Sequence, residues 1–184
     1  MLFRSNGGVY APSSNGLPSV VLAAIAVDPH DSTRVFAAGS SGVFRSTDGG
    51  STWAATSERV EATSLLIDPG NSSVIYAGSV QGVLKSTDGG TTWTVTGLTS
   101  TAGSALTVDA ANTQSVYAIG NSGTDGFVTE INAAGNAILF SSTLNGSDVD
   151  LSNAIAVDPS GSIYVTGSTY SVDAFVNGLD DVAA

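Results

Sequence analysis

The chain has 184 residues, enough for one domain with a sizeable core, and its formal net charge of −11 excludes the basic footprint that nucleic-acid phosphates require. Only 11% of residues are charged and 22 are glycine, the profile of an all-β chain with Ser- and Thr-covered outward faces and tight turns. Cysteine is absent, which removes disulfides and thiolate metal sites, and no stretch approaches the ~20 apolar residues of a membrane helix.

In chain order, LFRSNGGVY (Leu2 to Tyr10) is a short run, a Gly-Gly turn and an aromatic, a worn copy of VFRSTDGGSTW at 43–53. Next, LPSVVLAAIAV (Leu17 to Val27) follows Arg4 and superficially imitates an export signal. Its end, AIAVDP, recurs as LLIDP at 65–69, LTVDA at 106–110 and AIAVDP at 154–159. A segment that recurs in this way is expected to be a repeated strand, and the chain is expected to carry no export signal of its own.

Residues 26–57 lie over 66–97 without a gap, forty positions apart. Each copy has an apolar run ending in Asp-Pro, then an aromatic-bearing run (VFAAGS, VIYAGS), then GVFRS or GVLKS, then the DGG turn, then TWAAT or TWTVT. Runs of four to six residues rich in β-branched and aromatic types, bounded by Gly, Asp, Ser or Pro, predict four short antiparallel strands per repeat. A period of about 40 residues with four strands is the signature of a β-propeller blade. Downstream, LTVDA, SVYAIG (115–120) and DGFVTEIN (125–132) repeat the first three strands, and NAAGNAILFSS (132–142) replaces the DGG phrase. A further copy opens with AIAVDPSGSIYVTGST and reaches DAFVNG (173–178).

The expected organisation is a single all-β propeller domain of about four blades. A half blade spans 1–16, blades span 17–57, 58–97 and 98–146, and a partial blade spans 147–184. The two partial units either close a small ring or belong to a larger propeller, the favoured alternative. Unclosed blades would leave strand edges open to self-association.

In STDGGSTW, Gly49 and Gly50 permit positive φ, Asp48 can accept from nearby backbone N–H groups, Ser46 and Thr52 add hydroxyls, and Trp53 is an apolar plug. Ser86, Asp88, Gly89, Gly90, Thr92 and Trp93 repeat the set in STDGGTTW. These residues are expected to hold a turn, with no catalytic duty. The phrase resembles the Asp-box, or BNR repeat, of sialidases, sortilin-type receptors, xyloglucan-cleaving propeller hydrolases and photosystem II assembly factors, where it lies on the rim away from the active site. Residues 125–169 resemble the bacterial propeller repeat SBBP, typical of large exported or surface proteins.

The chemistry those families imply finds little purchase. A sialidase needs an arginine cluster and a tyrosine nucleophile, but Arg34 and Arg45 sit at ordinary repeat positions, and Tyr10, Tyr76, Tyr117 and Tyr164 stand where core aromatics are expected. Asp28, Asp68, Asp109 and Asp158 are equivalent positions of successive repeats, which argues against the distinct environments of an acid–base pair. His30, the single histidine, is expected to be a solvated turn residue. All five basic residues precede position 86, and the rest of the chain is acidic; the best cation candidate is GSDVDLSN, with Asp148, Asp150 and Asn153 as oxygen donors for calcium. The resulting expectation is a non-catalytic module of an exported or surface protein that binds a protein or a glycan, with no required cofactor. A glycoside hydrolase and a photosystem II assembly factor-like chaperone are the alternatives.

Overall fold

A computed structural model describes residues 2–5, 7–19, 21–56, 59–99, 102–109, 113, 115–172 and 175–176, with the backbone alone at 97–99, 102–104 and 175–176. Strands β1 (Phe3–Arg4) and β2 (Ala11–Pro12) form a hairpin. Then come β3 (Leu22–Val27), β4 (Val35–Gly39), β5 (Gly42–Ser46) and β6 (Ala54–Ala55), hydrogen-bonded in that order. A second sheet repeats the arrangement with β7 (Ser64–Ile67), β8 (Ile75–Ser79), β9 (Gly82–Ser86) and β10 (Thr94–Thr99). A third uses β11 (Ala102–Val108), β12 (Ser115–Ser122), β13 (Asp125–Asn132) and β14 (Ile138–Asn145). β15 (Asp150–Val157) and β16 (Ile163–Thr169) pair with each other. The all-β propeller architecture read from the period of 40 is the one the chain adopts.

First strands stand side by side, β3 against β7, β7 against β11 and β11 against β15, so the sheets radiate from a common inner edge. The second strand of each blade is buried on both faces (β4 is buried throughout) because a neighbouring sheet covers each side, and it therefore reads as a near-continuous apolar run. The cores lie between sheets. Phe36, Ala38 and Val43 of the first blade pack on Ile67, Ile75, Leu84 and Trp93 of the second. Tyr76 and Val83 of the second pack on Val116, Ala118, Phe127 and Ile131 of the third.

The terminal hairpins seat at opposite ends. Leu2 and Leu17 cover Val35, Ala37, Phe44 and Trp53 of the first blade, while Ile155, Ile163 and Val165 cover Ile119, Val128 and Phe140 of the third. Among the described residues no ladder joins β1–β2 to β15–β16. Two expectations are corrected here. Tyr10 and Tyr164 are exposed rather than core aromatics, because among the described residues no further sheet lies over the outer face of either hairpin. Of the segment 173–178, which the repeat would continue as a third strand, the described residues form β17 (Phe175–Val176) at the edge of β14, and 173–174 and 177–178 lie outside the described residues. The Tyr170 N–H donating to Val149 O and the Ser171 hydroxyl donating to Asp150 turn the chain away from β16 beforehand.

Candidate functional site

The two DGG turns are built alike. Ser46 Oγ donates to Asp48 Oδ1 at 2.7 Å and accepts from the Gly50 N–H at 2.8 Å. Asp48 also accepts from the Thr52 N–H at 2.8 Å and the Thr52 hydroxyl at 2.6 Å. Gly49 and Gly50 adopt φ of 69° and 88°, a region that favours glycine. Trp53 is buried and its Nε1–H donates to Ser13 O and Gly50 O at 3.0 and 3.1 Å, and Ser13 Oγ also donates to Gly50 O. In the second copy Asp88 accepts from Ser86 Oγ at 2.8 Å, from the Thr92 N–H at 2.8 Å and from the Thr92 hydroxyl at 2.7 Å, above Gly89, Gly90 and buried Trp93. The Thr52 and Thr92 hydroxyls lead these donors and hold the Asp48 and Asp88 carboxyls down at about 2. Carboxylates so saturated remain ionised and carry no proton to deliver.

Of the repeated carboxylates ending the first strands, Asp28 is the most elaborated. Burial alone would raise its pKa, but the Ser72 hydroxyl at 2.7 Å, the His30 N–H at 2.9 Å and the Arg34 guanidinium at 3.1 Å outweigh it, so the carboxyl sits below its ordinary value. Arg34 also donates to Ser72 O of the next blade, so this trio ties two blades together at the rim. His30 lies 3.9 Å from Asp28 with its side chain mostly exposed. Asp68 caps its own turn through the Gly70 N–H, Asp109 is buried, and Asp158 is held at about 2 by the Ser160 hydroxyl and the Ser162 N–H. The sequence marks Asp28 as one of a repeated series but does not distinguish it. The distinguishing signal is Arg34 standing where the next repeat has Val74.

A second interblade device was missed in the sequence. The residue opposite the second-strand aromatic is Arg45 against Phe36, Lys85 against Tyr76 and Glu130 against Tyr117. Arg45 lines the gap beside Gly89 and Gly90 of the next turn, and Lys85 Nζ donates to Ala133 O in the third blade's turn while lying 5.6 Å from the Tyr76 ring centroid. Arg4 sits likewise beside Gly49. Tyr76 Oη donates to Ala133 O at 2.8 Å and burial pushes its pKa up to about 12, unsuited to a nucleophile.

The proposed oxygen donors divide. Asp148 is exposed and its N–H donates to Ser171 Oγ, which itself donates to Asp150 Oδ2, both at 2.8 Å. Asp150 is buried with Oδ1 unpartnered. Asn153 is exposed and occupies the extra position of a β-bulge, since Ser152 faces Gly167 and Ala154 faces Thr166. Positions 148 and 150 alternate, but 153 lies an odd step beyond 150 and at the bulge, so their spacing does not bring the three donors to one strand face. Among the described residues no group of three or more His, Cys, Asp or Glu gathers as a metal site. Asp150 and Ser152 border a cavity of about 240 Å³ between β14 and β16, walled by Leu144, Leu151 and Val165.

The family described as beta-propeller repeat, SBBP, matches residues 141–173. No curated protein matches the chain. Among solved structures, the Niastella koreensis GH74 enzyme is similar at 25% identity and a TM-score of 0.62, over 74% of this chain and 23% of that one. An ancestral GH74 enzyme gives 25% identity and 0.61 over 79% and 22%. The Cps50 (Swd1) beta-propeller domain of Myceliophteria thermophila, at 12% identity and 0.57 over 79% and 49%, shares the fold. The chain thus spans less than a quarter of the length of these GH74 enzymes.

Proposed function

We propose that the chain is a non-catalytic β-propeller module of an exported or cell-surface bacterial protein, which presents loops and a central face to a protein or glycan ligand. In this reading its STDGG turns are Asp-box turns with a purely structural duty. The observation that carries it is the state of the carboxylates. Asp28, Asp31, Asp48, Asp88 and Asp158 are all shifted downward by hydroxyls, N–H groups or a guanidinium. A glycosidase needs one carboxyl raised to act as acid beside a second in a different environment.

The similarity to GH74 enzymes, which extends at 20% identity to the GH74 xyloglucanase from Xanthomonas campestris, favours glycan as the ligand class and supports a hydrolase as the second reading. Incubation with xyloglucan, followed by reducing-end measurement and binding by calorimetry, separates the two. The module reading expects reducing ends at the blank level, with any affinity unaffected by Asp48→Asn or Asp88→Asn variants that stay folded. Release of reducing ends, abolished by one carboxylate variant that still folds, would establish the hydrolase.

A further inference from the structure

The two terminal hairpins are complementary pieces of one blade. β16 occupies the second-strand position of β4, β8 and β12, yet among the described residues it pairs only with β15. β1 carries the third-strand phrase LFRS, matching VFRS of β5 and VLKS of β9, yet among the described residues it pairs only with β2. In every complete blade the second strand pairs with the third. The edge β16 leaves open is therefore the one β1 lacks.

Side chains repeat the match. Tyr164 is 58% exposed, whereas Phe36 and Tyr76 are 0% and Tyr117 is 7%. Phe3 is 50% exposed, whereas the residues at its register position in the complete blades, Phe44, Leu84 and Thr129, are 4%, 7% and 0%. The register of Tyr76 opposite Lys85 and Ala77 opposite Leu84, carried to β16 and β1, sets Tyr164 opposite Arg4 and Val165 opposite Phe3. Arg4 would then meet Tyr164 as Lys85 meets Tyr76, 5.6 Å from the ring centroid. Phe3 would enter the cavity beside Leu144 and Val165. Charge agrees as well: residues 1–27 carry Arg4 and no acid, while residues 147–172 carry Asp148, Asp150 and Asp158 and no base.

We propose that the open edge of β16 receives β1 of a second copy of this chain, so that two chains build two composite four-stranded blades and close one eight-bladed ring. The two-fold arrangement makes both junctions identical, each chain giving one acceptor edge and one donor hairpin. Eight blades lie within the usual range for propellers, and closure leaves no unpaired inner strand. The donor hairpin is held on its own first blade through Ser13 O, which receives the Trp53 indole N–H.

Two measurements test this. Sedimentation of the full chain is expected to give a species of twice the chain mass, with Phe3→Asp raising its dissociation constant at least tenfold while far-UV circular dichroism is unchanged. Because the chain has no cysteine, Arg4→Cys in one copy mixed with Tyr164→Cys in another reports the junction directly through a short thiol-reactive cross-linker. A cross-linked pair requiring both variants is the expected result. Sedimentation as a monomer, species larger than two chains, cross-linking within a single chain carrying both changes, or a dimer indifferent to Phe3→Asp would each overturn the proposal.

Discussion

The two DGG blades and the two terminal hairpins use nearly the same residues at equivalent positions and give them opposite fates. Trp53 and Trp93 are buried under hairpins or neighbouring sheets, while Tyr10, which replaces them in the worn copy, stands in solvent. Phe36 and Tyr76 are enclosed between blades, while Tyr164 is open. Burial in this molecule is thus conferred by the adjoining sheet, and the strand's own sequence prepares a side chain for it without ensuring it. This is the nearest-neighbour behaviour expected of repeat architectures.

That contrast breaks most visibly at the aromatic plug. Trp93→Ala removes a buried indole and its 3.1 Å bond to Gly90 O, and should cost about 3–5 kcal/mol in guanidinium unfolding. Tyr10→Ala, the same repeat position on the exposed hairpin, should change stability by less than about 0.5 kcal/mol. Equal losses would show that the plug position matters whatever covers it. Arg34→Ala comes next. It strands the buried Asp28 carboxylate and removes a link to Ser72 of the next blade, at about 2–3 kcal/mol, moderated because Arg34 is partly solvated. Asp68, whose repeat has Val74 in place of the arginine, offers the control: Asp68→Asn should cost less than Asp28→Asn by the same assay.

Smaller effects sharpen the comparison between turns. Gly90 and Gly161 share φ of 86°, so Gly→Ala incurs about 1–2 kcal/mol of left-handed strain at both. A Cβ at Gly90 would also come within 3.2 Å of Phe36, whereas Gly161 faces open space, so thermal melting should fall further for Gly90→Ala. The turn carboxylates set the response to acid. Asp48, Asp88 and Asp158 fall from 3.8 to about 2 on folding, so their contribution is complete above pH 4 and is lost as pH drops toward 2. The melting temperature should decline over that window, and an Asp48→Asn, Asp88→Asn double variant should flatten the decline.

The blade itself was legible because its period, its Asp-Pro stops and its paired glycines are local signals. The bonds of Asp48 and Asp88 to Ser46, Thr52, Ser86 and Thr92 close within the same eight residues. What could not be read were relations between blades. Arg34 reaching Ser72, Lys85 reaching Ala133 and Tyr164 lacking a cover all depend on which sheet stands beside which. Strand alternation relates Asp148 to Asp150 but not to Asn153, which lies an odd step further on and at a bulge that only the pairing with β16 reveals.

The account rests on the DGG carboxylates being structural, and their ionisation reports that directly. A carbon-13 NMR titration of the Asp48 and Asp88 carboxyls in the folded chain should give midpoints near 2, each rising when the Thr52 or Thr92 hydroxyl is removed in the corresponding Thr→Val variant. A midpoint at or above the ordinary 3.8 for either group would contradict it, because that carboxyl would then be free of the turn and open to other chemistry.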